Sequence, residues 1–441
     1  MRIVRLVAIT LLLSSLALTL GRYYRGTVGW RAQQVVLISI DTLRADRLGT
    51  YGYTTRPTSP NLDALAHQSV VFERAFVAAP WTVPSLAALL TGRYPVEVGA
   101  YTNADAIAAD AVTLAELFQQ RGVPTATFNT HALLVAARGG FRQGFDTVVP
   151  DHLVPLQAGE HKASFAASEP ALMAWLTAHA EGPFFVWIHD MSPHLPPTAD
   201  NPHLREANWT RYDAEVRNAD DLVGRVLRKL AELGVGERLL VIVTADHGEA
   251  FGDEHGLTGH QDVMYDEVLR VPLLIGAPPF EPRRIAAPVE LIDILPTVAA
   301  LADLPLPADV RGENLRPILD GTRDARVREQ SFHMRFFFED DDNRHWLAVR
   351  DGEWKLLAKV RDQGRDGPPA WALDDSKTYF ELYRVSDDPF ELDDRFEEEP
   401  AQVERMTRLL DQWTASLAAK PARPELDDAT REHLRALGYN P

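Results

Sequence analysis

Residues 239–248 read L-L-V-I-V-T-A-D-H-G, a short aliphatic, β-branched run that breaks off at Asp246, His247 and Gly248. Such a run has no polar alternation. It fits a strand covered on both faces, as strands of parallel sheets are. Residues 35–41, V-V-L-I-S-I-D, repeat the pattern and end on Asp41. In open α/β sheets ligands collect beyond the carboxyl ends of the strands, so both acids fall on the functional edge. Either acid by itself reads equally well as a helix cap or turn residue. Two strand-end acids in one chain, one followed directly by His-Gly, argue for a site.

Helices alternate with further strands around these runs. The spacing predicts helices over Leu62–Gln68, Thr113–Gln120, Glu169–Ala180 and Tyr212–Leu233, and strands over Val123–Asn129 and Phe184–His189. In the longest helix Val216, Ala219, Val223, Val226, Leu227 and Leu230 recur at helical spacing. Thr113 followed by Glu116 spells a capping box. The alternation predicts an α/β fold: a large, mainly parallel sheet sandwiched by helices. Near residue 325 the texture turns charged, in D-G-T-R-D-A-R-V-R-E-Q. Beyond it, Asp351-Gly352 between two apolar runs signals a hairpin. Ala401–Ala418 reads as a closing amphipathic helix. This part is expected to be a small antiparallel sheet with one helix. The expected divisions are 1–28, 29–325 and 326–441. The acidic run Glu339–Asp342 reads as a solvated loop.

Pro80–Pro95 reads P-W-T-V-P-S-L-A-A-L-L-T-G-R-Y-P and puts Thr82 just ahead of a short apolar helix starting near Pro84. A helix start offers unpaired N–H groups and partial positive charge, a natural anion site. A hydroxyl there points to chemistry on a phosphate or sulfate ester. The same letters also spell a plain helix start, with Thr as cap and Pro in the first turn.

Several ordered motifs then resemble the sulfatase family, within the alkaline-phosphatase-like superfamily. They are I-D-T-L-R-A-D at 40–46, T-x-P-S at 82–85, P-H-x-P at 193–196, T-A-D-H-G-E at 244–249 and Y-D-E-V-L-R-V-P-L at 265–273. The tail L-R-A-L-G-Y at Leu434–Tyr439 is similar as well, so the likeness runs from about Val35 to the end. It implies a metal-dependent ester hydrolase with Asp41, Thr82, Asp246 and His247 around one divalent ion. It also implies the fold already expected, with His194 contacting substrate oxygens and His260 near the leaving group.

The chain departs from that family in ways that agree with one another. The family oxidises Cys or Ser at the nucleophile position to formylglycine. Here that position is Thr82, the chain has no Cys, and a Thr cannot give that aldehyde. No formylglycine is therefore expected. Leu86 stands where the family carries Arg, Thr42 where it carries a second Asp, and His247 where it carries Asn. An oxygen-rich site suits calcium or magnesium; losing a carboxylate and gaining an imidazole moves the preference toward zinc or manganese. A Thr nucleophile resembles the superfamily's phosphodiesterase and transferase branches, so phosphate or phosphonate esters are expected over sulfate.

Other residues are candidates for the site. His131, in F-N-T-H, resembles a family Lys-x-His position. Asp190 with His194 and His260 resembles the second-ion set of two-zinc relatives, though Asp190 also reads as a polar strand end. Arg44 would steady Asp41 or meet an anionic substrate; its plain reading is a surface ion pair with Asp46.

Composition narrows the function class. With 441 residues and a net charge of −18, the chain is no nucleic-acid binder, and an anionic substrate must be drawn by the site itself. Residues 1–20 place two Arg before about fifteen apolar residues, so an N-terminal signal peptide or membrane anchor and an exported, periplasmic or extracellular location are expected. An exported chain without Cys has no disulfides. Three readings follow: a hydrolase of small anionic esters, a transferase passing a phospho-group to an envelope glycan or lipid, or a binding protein on the same scaffold.

Overall fold

Two parallel partners flank the strand that ends at Asp41. The computed structural model describes residues 30–417 apart from 104, 132–133, 135–139, 150–164, 195–200, 206–209, 253, 261–262, 323–327, 329, 336–343, 362–372 and 374–377. The expected leader, the boundary near 325, the acidic run Glu339–Asp342 and the tail motif lie outside the described residues. In chain order the strands are β1 (Gln34–Ile40), β2 (Val70–Phe76), β3 (Thr125–Asn129), β4 (Thr147–Val149), β5 (Phe184–Asp190), β6 (Leu239–Ala245), β7 (Ala250–Phe251), β8 (Thr258–Gly259), β9 (Arg270–Gly276), β10 (Arg283–Ile285), β11 (Val289–Glu290), β12 (Gln330–Arg335), β13 (Arg344–Asp351), β14 (Trp354–Arg361) and β15 (Tyr379–Arg384).

The main sheet runs β10-β2-β9-β6-β1-β5-β3-β4, with β11 beside β2. β1 is parallel to β5 and β6, and β3 is parallel to β4 and β5. Only β9 runs antiparallel, to both β2 and β6. β1, β5 and β6 are buried along nearly their whole length, which explains their aliphatic runs. Register decides the site. Ile40 pairs with Asp190 and with Ala245, so Asp41 and Asp246 leave the sheet side by side.

The helices follow the sequence periodicity closely. Arg211–Glu232 buries Val216, Ala219, Val223, Val226 and Leu230. Leu114–Gln119 carries the capping box: Glu116 N donates to Thr113 Oγ1 (3.2 Å) and Thr113 N donates to Glu116 Oε2 (2.8 Å). One expectation fails. Thr82 does not precede its helix as a cap; it is the first residue of Thr82–Thr91, with Trp81 in the cap position. Asn103 supplies the missing acceptor, taking the Val83 N–H at 2.9 Å.

β12 to β15 form a four-stranded antiparallel sheet, whose hairpin turns at Gly352 with φ +61°. A Cβ is strained in that region and Gly is not. The helix Pro400–Ser416 lays Met406, Leu410 and Trp413 on this sheet, in one apolar cluster with Ala78, Ala88, Tyr94 and Tyr101 of the large sheet's side. A buried polar knot adds to that seam. Lys355 Nζ reaches Asp266 (3.0 Å) and Glu391 (2.6 Å), and Arg350 pairs with Asp266. Among the described residues no helix is long and apolar enough to cross a membrane.

Candidate active site

Asp41 and Asp246 emerge from adjacent strand ends, both fully buried. Asp246 Oδ1 accepts from Thr42 N (3.1 Å) and His247 N (2.8 Å). This leaves Oδ2 turned the other way, with no hydrogen-bond partner. Both Asp41 oxygens are likewise buried without a partner. Gly248 is required behind them, because a Cβ there would meet Glu267 O at 2.1 Å. Its N–H bonds Val268 O at 2.8 Å.

The ionisation of the two acids splits. Burial acts to raise Asp41, but the His189 contact and, at the acid pH where those rings are protonated, the charges of His194 and His247 outweigh it and hold that carboxyl well below the usual range. Burial, then the Asp41 charge, pushes Asp246 up to about 7. Like charges this close disfavour joint ionisation in the absence of a cation.

His189 completes the picture, and the sequence reading gave it no role. It lies on β5 beside Ser39 of β1. Its Nδ1 is 2.8 Å from Ser39 Oγ, which also accepts from Trp187 Nε1 at 2.9 Å. Nε2 then faces Asp41 Oδ2 at 3.4 Å, an ion-pair distance longer than a normal N–H···O bond. Asp41, His189 and Asp246 bring one ligand atom each within 4.8 Å of one another, the only such trio among the described residues. Ligands about 2.0–2.2 Å from one ion sit roughly 3–3.5 Å apart. Buried carboxylate oxygens without donors are costly unless a cation meets them. The donor set therefore fits a divalent ion. Asp190, His194 and His260 do not form a second trio. Asp190 Oδ1 instead accepts from Ser192 N (3.2 Å) and Ser192 Oγ (2.8 Å), turning the chain at the strand end.

Thr82 joins through His247. Its Oγ1 is 3.3 Å from His247 Nε2, and His247 Nε2 is 3.5 Å from Asp246 Oδ2. His247 Nδ1 donates to Gly248 O at 2.9 Å, so in the neutral ring Nε2 carries the lone pair. Ser85 Oγ donates to Asp246 O at 2.5 Å, tying this helix to the same loop. The His260 ring lies 4.2 Å from that of His247 and 5.6 Å from that of His194. Glu249 orients His260, accepting at 3.0 Å from Nδ1. His131 is buried with its ring 6.3 Å from His189. Burial lowers His247, lowers His260 to about 4 and lowers His131 to about 3, so these rings are neutral at pH 7.

Arg44 sits elsewhere in function. It is buried and pairs with Asp46 (2.9 Å), Glu254 (3.2 Å) and Glu267 (3.2 Å), while donating to Glu249 O at 3.0 Å. The ion pair with Asp46 is present, and it joins a buried guanidinium to an exposed carboxylate. Arg44 braces the loop that follows Asp246. His255, stacked on Tyr265 at 3.5 Å, is also a loop residue.

A family model described as Sulfatase matches residues 33–304. One described as N-sulphoglucosamine sulphohydrolase, C-terminal, matches residues 253–418. Arylsulfatase A of Homo sapiens is 30% identical over 427 residues, covering 82% of this chain and 83% of that protein. An ulvan-active sulfatase of Formosa agariphila is 27% identical over 341 residues, covering 67% of this chain and 66% of that protein. The crystal structure of a phosphonate monoester hydrolase of Agrobacterium radiobacter shares the fold with a TM-score of 0.71 at 20% identity, covering 89% of this chain and 100% of that one.

Proposed function

The chain belongs to the sulfatase family, a family of ester hydrolases, and from that premise we propose that it hydrolyses small anionic esters with Thr82 as nucleophile, phosphate or phosphonate esters in preference to sulfate. The observation that carries this reading is the 3.3 Å contact between Thr82 Oγ1 and His247 Nε2. A hydroxyl at the start of a helix, facing an imidazole whose other nitrogen is already committed, is placed to act as an activated nucleophile. Thr82 cannot become an aldehyde, so the reaction runs by direct displacement at phosphorus or sulfur.

Asp41, His189 and Asp246 would hold the divalent ion, with zinc or manganese favoured by the imidazole. Bound there, it would offset negative charge on the ester oxygens and on the attacking oxygen. In the first step the Thr82 Oγ–P bond forms as the ester P–O bond breaks. The Thr82 proton passes to His247 Nε2 and ends on the departing alcohol oxygen. His260, held by Glu249, and His194 line the leaving side. In the second step water attacks the phospho-threonine, and its proton restores the Thr82 hydroxyl as phosphate leaves. An exported location, resting on residues 1–20, is part of the same proposal.

The test is a panel of aryl phosphate, phosphodiester, phosphonate and sulfate, run with zinc or manganese on the protein and on Thr82→Ala. Turnover of a phosphorus ester that vanishes in Thr82→Ala supports the reading. Full activity in Thr82→Ala overturns it.

A further inference from the structure

The C-terminal sheet reaches the segment that leads into Thr82. Its edge strand β12 lies against the segment that leaves β2 and leads to Trp81 and Thr82. Met334 N donates to Ala78 O at 2.9 Å, and His333 Nδ1 donates to Val77 O at 2.6 Å. The next residue of β12 is Arg335. It is only 4% exposed, and its guanidinium carbon lies 3.1 Å from the centroid of the Trp81 ring. Trp81 is the cap residue of the helix that opens with Thr82.

Leu86, in the same helix, is fully buried in the apolar core. The helix Thr82–Thr91 carries no basic residue, while a cation, Arg335, arrives at its start from another part of the chain. The charge of Arg335 is felt in the site: burial lowers the His260 imidazole, the Asp41 charge opposes this, and Arg335 acts to lower it further. His260 in turn touches His247, which faces Thr82.

We propose that Arg335 is the anion-binding residue of this site, gripping the nonbridging oxygens of the ester beside Thr82, at the start of a helix that carries no cation of its own. The inference rests on Thr82 as the reacting residue. Stacking uses the face of a guanidinium; its N–H edge is the part that grips phosphoryl oxygens in pairs. An added fixed cation favours a dianion over a monoanion. The preferred substrate class is therefore a dianionic phosphate or phosphonate monoester, ahead of a monoanionic sulfate ester. It also makes the C-terminal sheet part of the active site.

The experiment compares the full-length, metal-loaded protein with Arg335→Met, Arg335→Lys and Thr82→Ala. Inorganic phosphate binding is read by titration calorimetry, and kcat/KM is measured for an aryl phosphate and an aryl sulfate. Arg335→Met is expected to weaken phosphate binding at least tenfold and to cut kcat/KM for the phosphate ester more than for the sulfate ester. Arg335→Lys should restore part of both losses. Thr82→Ala should lose turnover yet bind phosphate within about twofold of the parent. Parental phosphate affinity in Arg335→Met overturns the proposal, as does an equal loss for the two esters. If Arg335→Met does not fold, the ester ratio in Arg335→Lys decides alone, an unchanged ratio counting against the proposal. Persistent turnover in Thr82→Ala would instead sink the nucleophile reading, and the phosphate titration would still judge Arg335.

Discussion

His189 Nε2 lies 3.4 Å from Asp41 Oδ2, and the two residues reach that contact from neighbouring strands in fixed register. Neither atom has a hydrogen-bond partner, so the pair is shaped for something between them. If that is a divalent ion, His189→Ala should weaken zinc binding by roughly a hundredfold or more. Ser39→Ala, which removes the group holding Nδ1, should cost about 10–100-fold. A chromophoric chelator titration reads both without any substrate. Parental affinity in His189→Ala would remove His189 from the ligand set.

Asp41 and Asp246 are legible in the sequence because an aliphatic run that stops at an acid marks a strand end directly. His189 is not legible in the same way. Its role depends on β5 lying next to β1 rather than elsewhere in the sheet, and sheet order is not written in local pattern. The only hint is a polar ring inside F-F-V-W-I-H-D. Thr82 illustrates a second limit: T-x-P-S signals a helix start, but whether Thr is the cap or the first residue turns on Asn103, twenty residues away, which takes the Val83 N–H. The antiparallel course of β9 and the arrival of Arg335 from β12 are long-range facts of the same kind.

Thr82 makes no capping bond, so its removal should leave stability nearly intact while ending catalysis. Thr82→Ala is expected to lower kcat at least a thousandfold and to shift unfolding free energy by no more than about 1 kcal/mol. Asn103→Ala should do the reverse, costing about 1 kcal/mol through the unpaired helix N–H with a smaller kinetic loss. Thr82→Ser should keep substantial activity. Urea unfolding alongside kinetics separates the two roles; a large stability loss in Thr82→Ala would mean the residue is structural.

Asp266 ties the two sheets together through Arg350 and Lys355, and it sets a pH dependence. Burial would raise its carboxyl, but the charges of Arg350 and Lys355 outweigh burial and hold it well below the usual range. A depressed acid contributes its stabilisation fully above the unfolded value of about 3.9 and loses it as pH falls through the folded value. The protein should therefore weaken on acidification below about pH 5. Asp266→Asn should be less stable by about 3–5 kcal/mol at pH 7, with a shallower loss between pH 5 and pH 3. Urea unfolding at stepped pH checks this; parallel pH slopes in the two proteins would contradict it.

Thr42 occupies the left-handed region, at φ +55°, where a β-branched residue is strained by roughly 1–2 kcal/mol. Its N–H holds Asp246 Oδ1, so its backbone is fixed beside the two acids whatever its side chain. Asp tolerates that conformation better than Thr. Thr42→Asp would ease the backbone and add a third carboxylate to the neighbourhood of Asp41 and Asp246. More oxygen and more negative charge suit calcium over zinc. The variant should thus bind calcium at least tenfold more tightly relative to zinc than the parent does, measured by competitive titration of each metal. An unchanged ratio would mean that residue 42 is spectator to the ion and that His189 alone sets the choice of metal.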